Sequence, residues 1–184
     1  MCGRKNSVLQ SEFILEIMMT YAQSILPEFD QEMANTRKAL ERIPDDKLNW
    51  QAHPKSHTIG WNANHIADMV HWPVPVLTMS QLDIAPVGGP RYQVPSLASR
   101  KEIVELFDHN LAAARNAIAA VKDERINDTW TLLKAGIPML AMPKAAVIRG
   151  FVISHIIHHR AIVCVYLRLN DIPVPGMYGP SGDE

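Results

Sequence analysis

The sequence is poor in the features that would assign it quickly. It has two cysteines in 184 residues, Cys2 and Cys164, too few for a disulfide framework or a cysteine-rich zinc site. Cys2 falls in a polar terminus, and Cys164 reads as a small core residue rather than a nucleophile. No block of Lys and Arg stands out and the formal net charge is −1, which argues against a broad nucleic-acid footprint. No uncharged apolar run approaches the roughly 18 residues that span a bilayer. The opening MCGRKNSVLQSE has no signal-type apolar segment close behind its charges, so the cytoplasm is the expected location. No internal repeat or composition break appears, and residues 1–184 are read as one domain.

What the chain does have is a set of apolar stripes at helical spacing. The longest segment, Val147 to Asn170, reads VIRGFVISHIIHHRAIVCVYLRLN. Ile148, Val152, His155, His159, Ile162, Tyr166 and Leu169 recur at steps of four and three, the spacing of one buried helix face. Two members of that face are imidazoles, and a polar ring in a core needs a partner. A metal ion would supply one, and so would ordinary hydrogen bonds. Spacing alone does not separate the two, because eight histidines yield about 0.3 such pairs by chance. His53 and His57 form a second pair, but Pro54 between them argues against a helix.

Three more helices are expected. Ile14, Met18, Tyr21, Ile25, Phe29, Met33, Thr36 and Leu40 predict a first helix ending near Ile43, with a kink or fresh start at Pro27. A second helix starts near Thr58 and puts Trp61, His65, Met69, Trp72 and Val76 on one side, which makes His65 the natural third ligand. His71 falls off that side and reads as a surface residue. Pro73 and Pro75 end or kink this helix, and VLTMSQLDI is read as a brief continuation. The Pro- and Gly-rich stretch 83–98 is long enough to cover a site or a neighbouring subunit. Ser99 and Glu102 form a capping box that opens the third helix, with His109 beside its inner stripe and taken as structural or exposed. Thr129 to Leu133 and Ile137 to Ala141 predict a hairpin around Lys134-Ala135-Gly136, and Pro143 suits the first turn of the fourth helix. The fold class is therefore all-α: a four-helix bundle with a short β-hairpin between helices three and four. Trp50 is expected to pack onto the bundle, and the tail after Asn170 to lie along it.

If helices two and four pack side by side, His65, His155 and His159 converge. Three neutral ligands would leave a divalent ion its full charge and an open position, the catalytic type of coordination. Zinc suits three histidines; with extra waters nickel, iron or manganese would fit. Such an ion activates a water or a thiol. Asp68, one turn beyond His65, is a candidate to orient a ligand imidazole, or a solvated helix charge. His158 points about 100° away from His159 and is expected to face a helix neighbour. Ile156 stands where a zinc protease of the H-E-x-x-H type has its glutamate, so that built-in base is missing.

Two runs carry a family resemblance: MPKAAVIRGFVISHIIHHRAIVCVYLRLNDIPVPGMYGPS and LNWQAHPKSHTIGWNANHIADM. Together they resemble the DinB/YfiT-like superfamily over most of the chain, from about Ile25 onward. The resemblance implies a four-helix bundle with a three-histidine divalent-metal site, often dimeric. Characterised relatives include thiol-dependent S-transferases and a thiol-dependent maleylpyruvate isomerase, and many others are described as metal-dependent hydrolases. The expected function is thus a metal-dependent enzyme that activates water or a low-molecular-weight thiol toward a small-molecule substrate. The alternative is a metal- or small-ligand-binding protein without turnover. A homodimer is expected from the resemblance, and more weakly from Val163, Val165 and Leu167 lying off the main seam. The sequence departs from the family where relatives read His-His-Arg-Gly-Gln: here Ala161 and Ile162 follow Arg160. The ligands survive and the polar surroundings are poorer.

Overall fold

The computed structural model describes residues 19–184. Its first helix, α1 (Tyr21–Glu41), begins at a capping box in which Thr20 and Gln23 exchange side-chain and backbone hydrogen bonds. Pro27 lies inside this helix rather than starting a new one. Ile14 and Met18 fall outside the described residues, and Ile25, Phe29, Met33, Thr36 and Leu40 form the buried face as expected. A 3-10 turn (Asp45–Lys47) leads to α2 (Ile59–Met69), whose cap is the Thr58 hydroxyl accepting from the Trp61 N–H.

The segment after α2 differs from the sequence expectation. Pro73 does not only end a helix; it starts a short one, α3 (Pro73–Thr78), at a position where its missing N–H costs nothing. Met79 then turns extended and Gln81–Asp83 form a strand, β1, instead of prolonging the helix. After the long connection, Ser99 caps α4 (Arg100–Ala120): its hydroxyl accepts from the Glu102 N–H and donates to the Glu102 carboxylate. The expected hairpin follows as β2 (Thr129–Lys134) and β3 (Ile137–Pro143). Ala135 and Gly136 turn it with φ of 54° and 76°, the left-handed geometry that suits a two-residue hairpin.

The hairpin has a third partner. β1 lies parallel to β2, pairing Leu82 with Leu132, so the molecule is mainly helical with a three-stranded sheet ordered β1-β2-β3. The Asp83 carboxylate accepts from the N–H groups of Ala135 and Gly136, which ties β1 to the turn. The pairing joins residues fifty positions apart, which periodicity within one segment does not report.

The last helix, α5 (Lys144–Leu169), runs on from Pro143 at the end of β3 and contains a π-helical stretch, Val147–Ile153. It is apolar and long enough to cross a membrane by composition, but its apolar residues are used inside the fold: Val147, Ile148, Val152, Ile156, Val163 and Leu167 are buried. The buried Lys144 ammonium donates to the Leu77 carbonyl at 3.0 Å and so joins α3 to α5. The helices pack in the cyclic order α1-α4-α2-α5, which sets α2 beside α5.

Two seam expectations change. Leu169, the final residue of α5, is exposed, while Tyr166 and Leu167 of the same turn are buried. Val163 and Leu167, read as available for a partner subunit, are fully buried in the chain's own core, and only Val165 of those three faces out. Trp50 packs edge-on against Tyr166 with ring centroids 5.2 Å apart.

Candidate metal centre

His65 comes from the middle of α2, and His155 and His159 from successive turns of α5. Because these helices are neighbours, the three rings meet. Their ligand-capable nitrogens all lie within 4.8 Å of one another. The His155 and His159 Nε2 atoms are 2.9 Å apart, and the His65 and His155 Nε2 atoms 3.4 Å. His159 is buried, and His65 and His155 are half-buried.

The surroundings set the ring chemistry. His159 Nδ1 lies 2.8 Å from the Asn62 side-chain oxygen, which can only accept a hydrogen bond and therefore holds the ring proton on Nδ1. The Nε2 lone pair of His159 is then free and points at the other two rings. The backbone of Phe151 favours a proton on the His155 ring, and it belongs to the π-helical stretch one turn earlier. Such local unwinding is frequent at functional sites. His65 Nδ1 is buried with no hydrogen-bond partner among the described residues.

Burial is the first cause of every pKa shift here. It lowers His159 to about 3, with help from His65, His155, His158 and His57. It lowers His65 to about 4, with His155 and His57 adding to the effect. His155 is lowered by burial and by His158, against the Phe151 backbone. No carboxylate, lysine or arginine is among these causes. The cluster is thus three imidazoles that burial keeps neutral, with ring nitrogens converging within 4.8 Å, a donor set that suits a borderline divalent cation.

The other candidates sort clearly. His53 is exposed and accepts from the Lys55 N–H through Nδ1. His109 is exposed. His71 is half-buried rather than a surface residue, and its Nδ1 has no partner among the described residues. His57 is exposed, yet it stacks on Trp61 at 3.5 Å, and Trp61 in turn stacks on His65 at 4.8 Å. His158 is exposed, with its ring 5.0 Å from that of His159. Asp68 is buried, but its partner is the Tyr92 hydroxyl and no hydrogen bond links it to His65. Ala161 is exposed and Ile162 packs against the core, so neither adds a polar group to the cluster. Asn62 was not among the residues singled out from the sequence; an Asn three residues before a histidine carries no signal until the helices are packed.

A mainly helical bundle with an inward three-histidine cluster defines a class of protein that could hold a metal ion between its helices. The DinB superfamily model matches residues 28–163, and the chain belongs to that superfamily. A crystal structure of a DinB-like protein from Bacillus cereus ATCC 10987 has the same fold, with a TM-score of 0.62 at 23% identity over 84% of this chain and 95% of that one. No curated protein matches the sequence.

Proposed function

We propose that His65, His155 and His159 together hold one divalent metal ion, and that the protein is a metal-dependent enzyme of the thiol S-transferase or hydrolase type. One observation carries the metal: two neutral imidazoles have their Nε2 atoms 2.9 Å apart, and Asn62 leaves the His159 Nε2 with a lone pair. With the His155 proton on Nδ1 as well, two lone pairs face each other at that distance, and a cation among them would remove the repulsion. Zinc or nickel suits the three nitrogens best; iron and manganese are the other candidates. When bound, the ion would lower the pKa of a water or thiol that reaches it.

The chain's residues supply orientation and a dry wall. Asn62 fixes His159, the Phe151 backbone supports His155, and the Trp61 and Phe151 rings flank the cluster. A second reading, metal binding without turnover, is favoured by the placement of Asp68, whose carboxylate accepts from the Tyr92 hydroxyl and makes no hydrogen bond to the cluster. A homodimer belongs to the leading reading through the family resemblance and the exposed Val165 and Leu169, and sedimentation at micromolar concentration tests it.

The deciding experiment is elemental analysis of protein purified without a histidine tag, with His155→Ala as control, followed by turnover assays with thiols and electrophilic or hydrolysable substrates. Near one equivalent of metal in the native protein, lost in the variant, supports the site. Equal metal in both overturns it. Metal without any turnover leaves the binding reading.

A further inference from the structure

The three imidazoles are not held in the same way. His159 has Asn62 at Nδ1 and His155 has the Phe151 backbone, whereas His65 Nδ1 meets no hydrogen-bonding group among the described residues. A ring without such a bond is free to turn about its side-chain torsions, and a metal ligand works in one orientation only. What the His65 ring does have is a flat neighbour. Trp61 lies one turn earlier on α2, at the i,i+4 spacing that brings side chains together. Its indole stacks on His65 with ring centroids 4.8 Å apart and planes 25° from parallel, the geometry of an offset aromatic pair.

The indole is itself fixed. Its backbone N–H donates to the Thr58 hydroxyl, the cap of α2. His57, the residue before that cap, folds back over the other face of the indole, with centroids 3.5 Å apart and planes 10° from parallel. A stack of three rings, His57–Trp61–His65, thus runs from an exposed imidazole to the cluster. A cation on His65 would draw electrons from that ring, and the electron-rich face of an indole attracts an electron-poor ring more strongly. The worth of the stack should therefore appear in metal affinity more than in the stability of the fold.

We propose that Trp61 is a positioning residue for His65, with His57 backing the indole, so that stacking does for this ligand what the Asn62 hydrogen bond does for His159. The positioning concerns the metal-free chain; its effect on affinity rests on the metal reading above. The test compares the native full chain with Trp61→Leu, Trp61→Phe, His57→Ala and His57→Phe. In the metal-free protein, carbon NMR relaxation should show the His65 ring ordered in the native chain and in Trp61→Phe, and mobile in Trp61→Leu. Zinc affinity, from competition with a chelator, should fall about tenfold in Trp61→Leu. It should fall about threefold in His57→Ala, and each phenylalanine variant should recover most of the loss. Denaturation midpoints should separate Trp61→Leu from Trp61→Phe far less than the affinities do. The proposal is overturned if Trp61→Leu keeps an ordered His65 ring, if Trp61→Phe is as impaired as Trp61→Leu, or if an equal loss of stability accompanies the loss of affinity. Should Trp61→Leu not fold, His57→Ala against His57→Phe decides by the same two readouts. Failure of the native protein to bind zinc overturns the metal reading, and the order of the His65 ring still decides the positioning.

Discussion

His159 and Arg160 are consecutive residues of α5, both buried, and their surroundings are opposite in kind. Arg160 is closed on all sides. It donates to the Glu32 carbonyl at 3.0 Å, to the Thr36 hydroxyl at 3.3 Å and to the Tyr178 hydroxyl at 2.7 Å, and it pairs with the Glu32 carboxylate at 2.8 Å. Tyr178 in turn donates to Glu32, which pins the C-terminal tail to α1 and α5. His159 meets Asn62 through Nδ1 and the His155 ring nitrogen through Nε2, with the His65 ring edge-on against it. A buried polar group that is fully paired within the chain serves the fold. Three imidazoles that converge in a core leave ring nitrogens that a cation could take up.

The comparison can be broken at its stable side first. Arg160→Met leaves Glu32 buried without its cation and should cost about 3–5 kcal/mol in chemical denaturation. His159→Ala, one residue away, should cost far less in the metal-free protein. Similar losses for the two would mean that the histidine cluster is also a structural network.

The next effect is on the other side. Asn62→Leu removes the acceptor that sets the His159 tautomer and should weaken metal affinity about 10- to 100-fold, measured by competition with a chelator. His53→Ala, His71→Ala and His109→Ala should leave affinity unchanged. If Asn62→Leu does the same, the orientation argument fails.

Acid should separate the two regions further. Folded-state values of about 3 for His159 and about 4 for His65 lie below the usual 6.5, so the unfolded chain binds more protons in that range. The contribution of these neutral rings is present above pH 6.5 and is lost as pH falls through their folded values. Denaturation midpoints of the metal-free protein should drop over that window, and His65→Ala/His159→Ala should flatten the drop. An unchanged slope in the double variant would assign the loss to other groups.

The smallest effect is at the tail. Tyr178→Phe removes one hydroxyl from the Arg160–Glu32 pair and should cost about 1 kcal/mol, with no change in metal content. A change in metal content would show that the two regions are coupled through α5.

Local chemistry settled much of this protein in advance. Apolar residues at steps of three and four located the helices, because a helix needs only its own neighbours to declare its buried face. Ser99 with Glu102, and Gly136 at positive φ, marked a helix start and a turn for the same local reason. The positions of His65, His155 and His159 on those stripes were legible too. Tertiary structure decided what depends on distant partners. β1 exists because Leu82 meets Leu132, Arg160 is tolerable because Glu32 lies across from it, and His159 holds its proton on Nδ1 because Asn62 is on the adjoining helix. Asp68, legible as an orienting carboxylate, went instead to Tyr92, which the long connection folds back onto α2. A polar side chain announces that it needs a partner, but only the packed chain determines which partner comes within hydrogen-bonding distance.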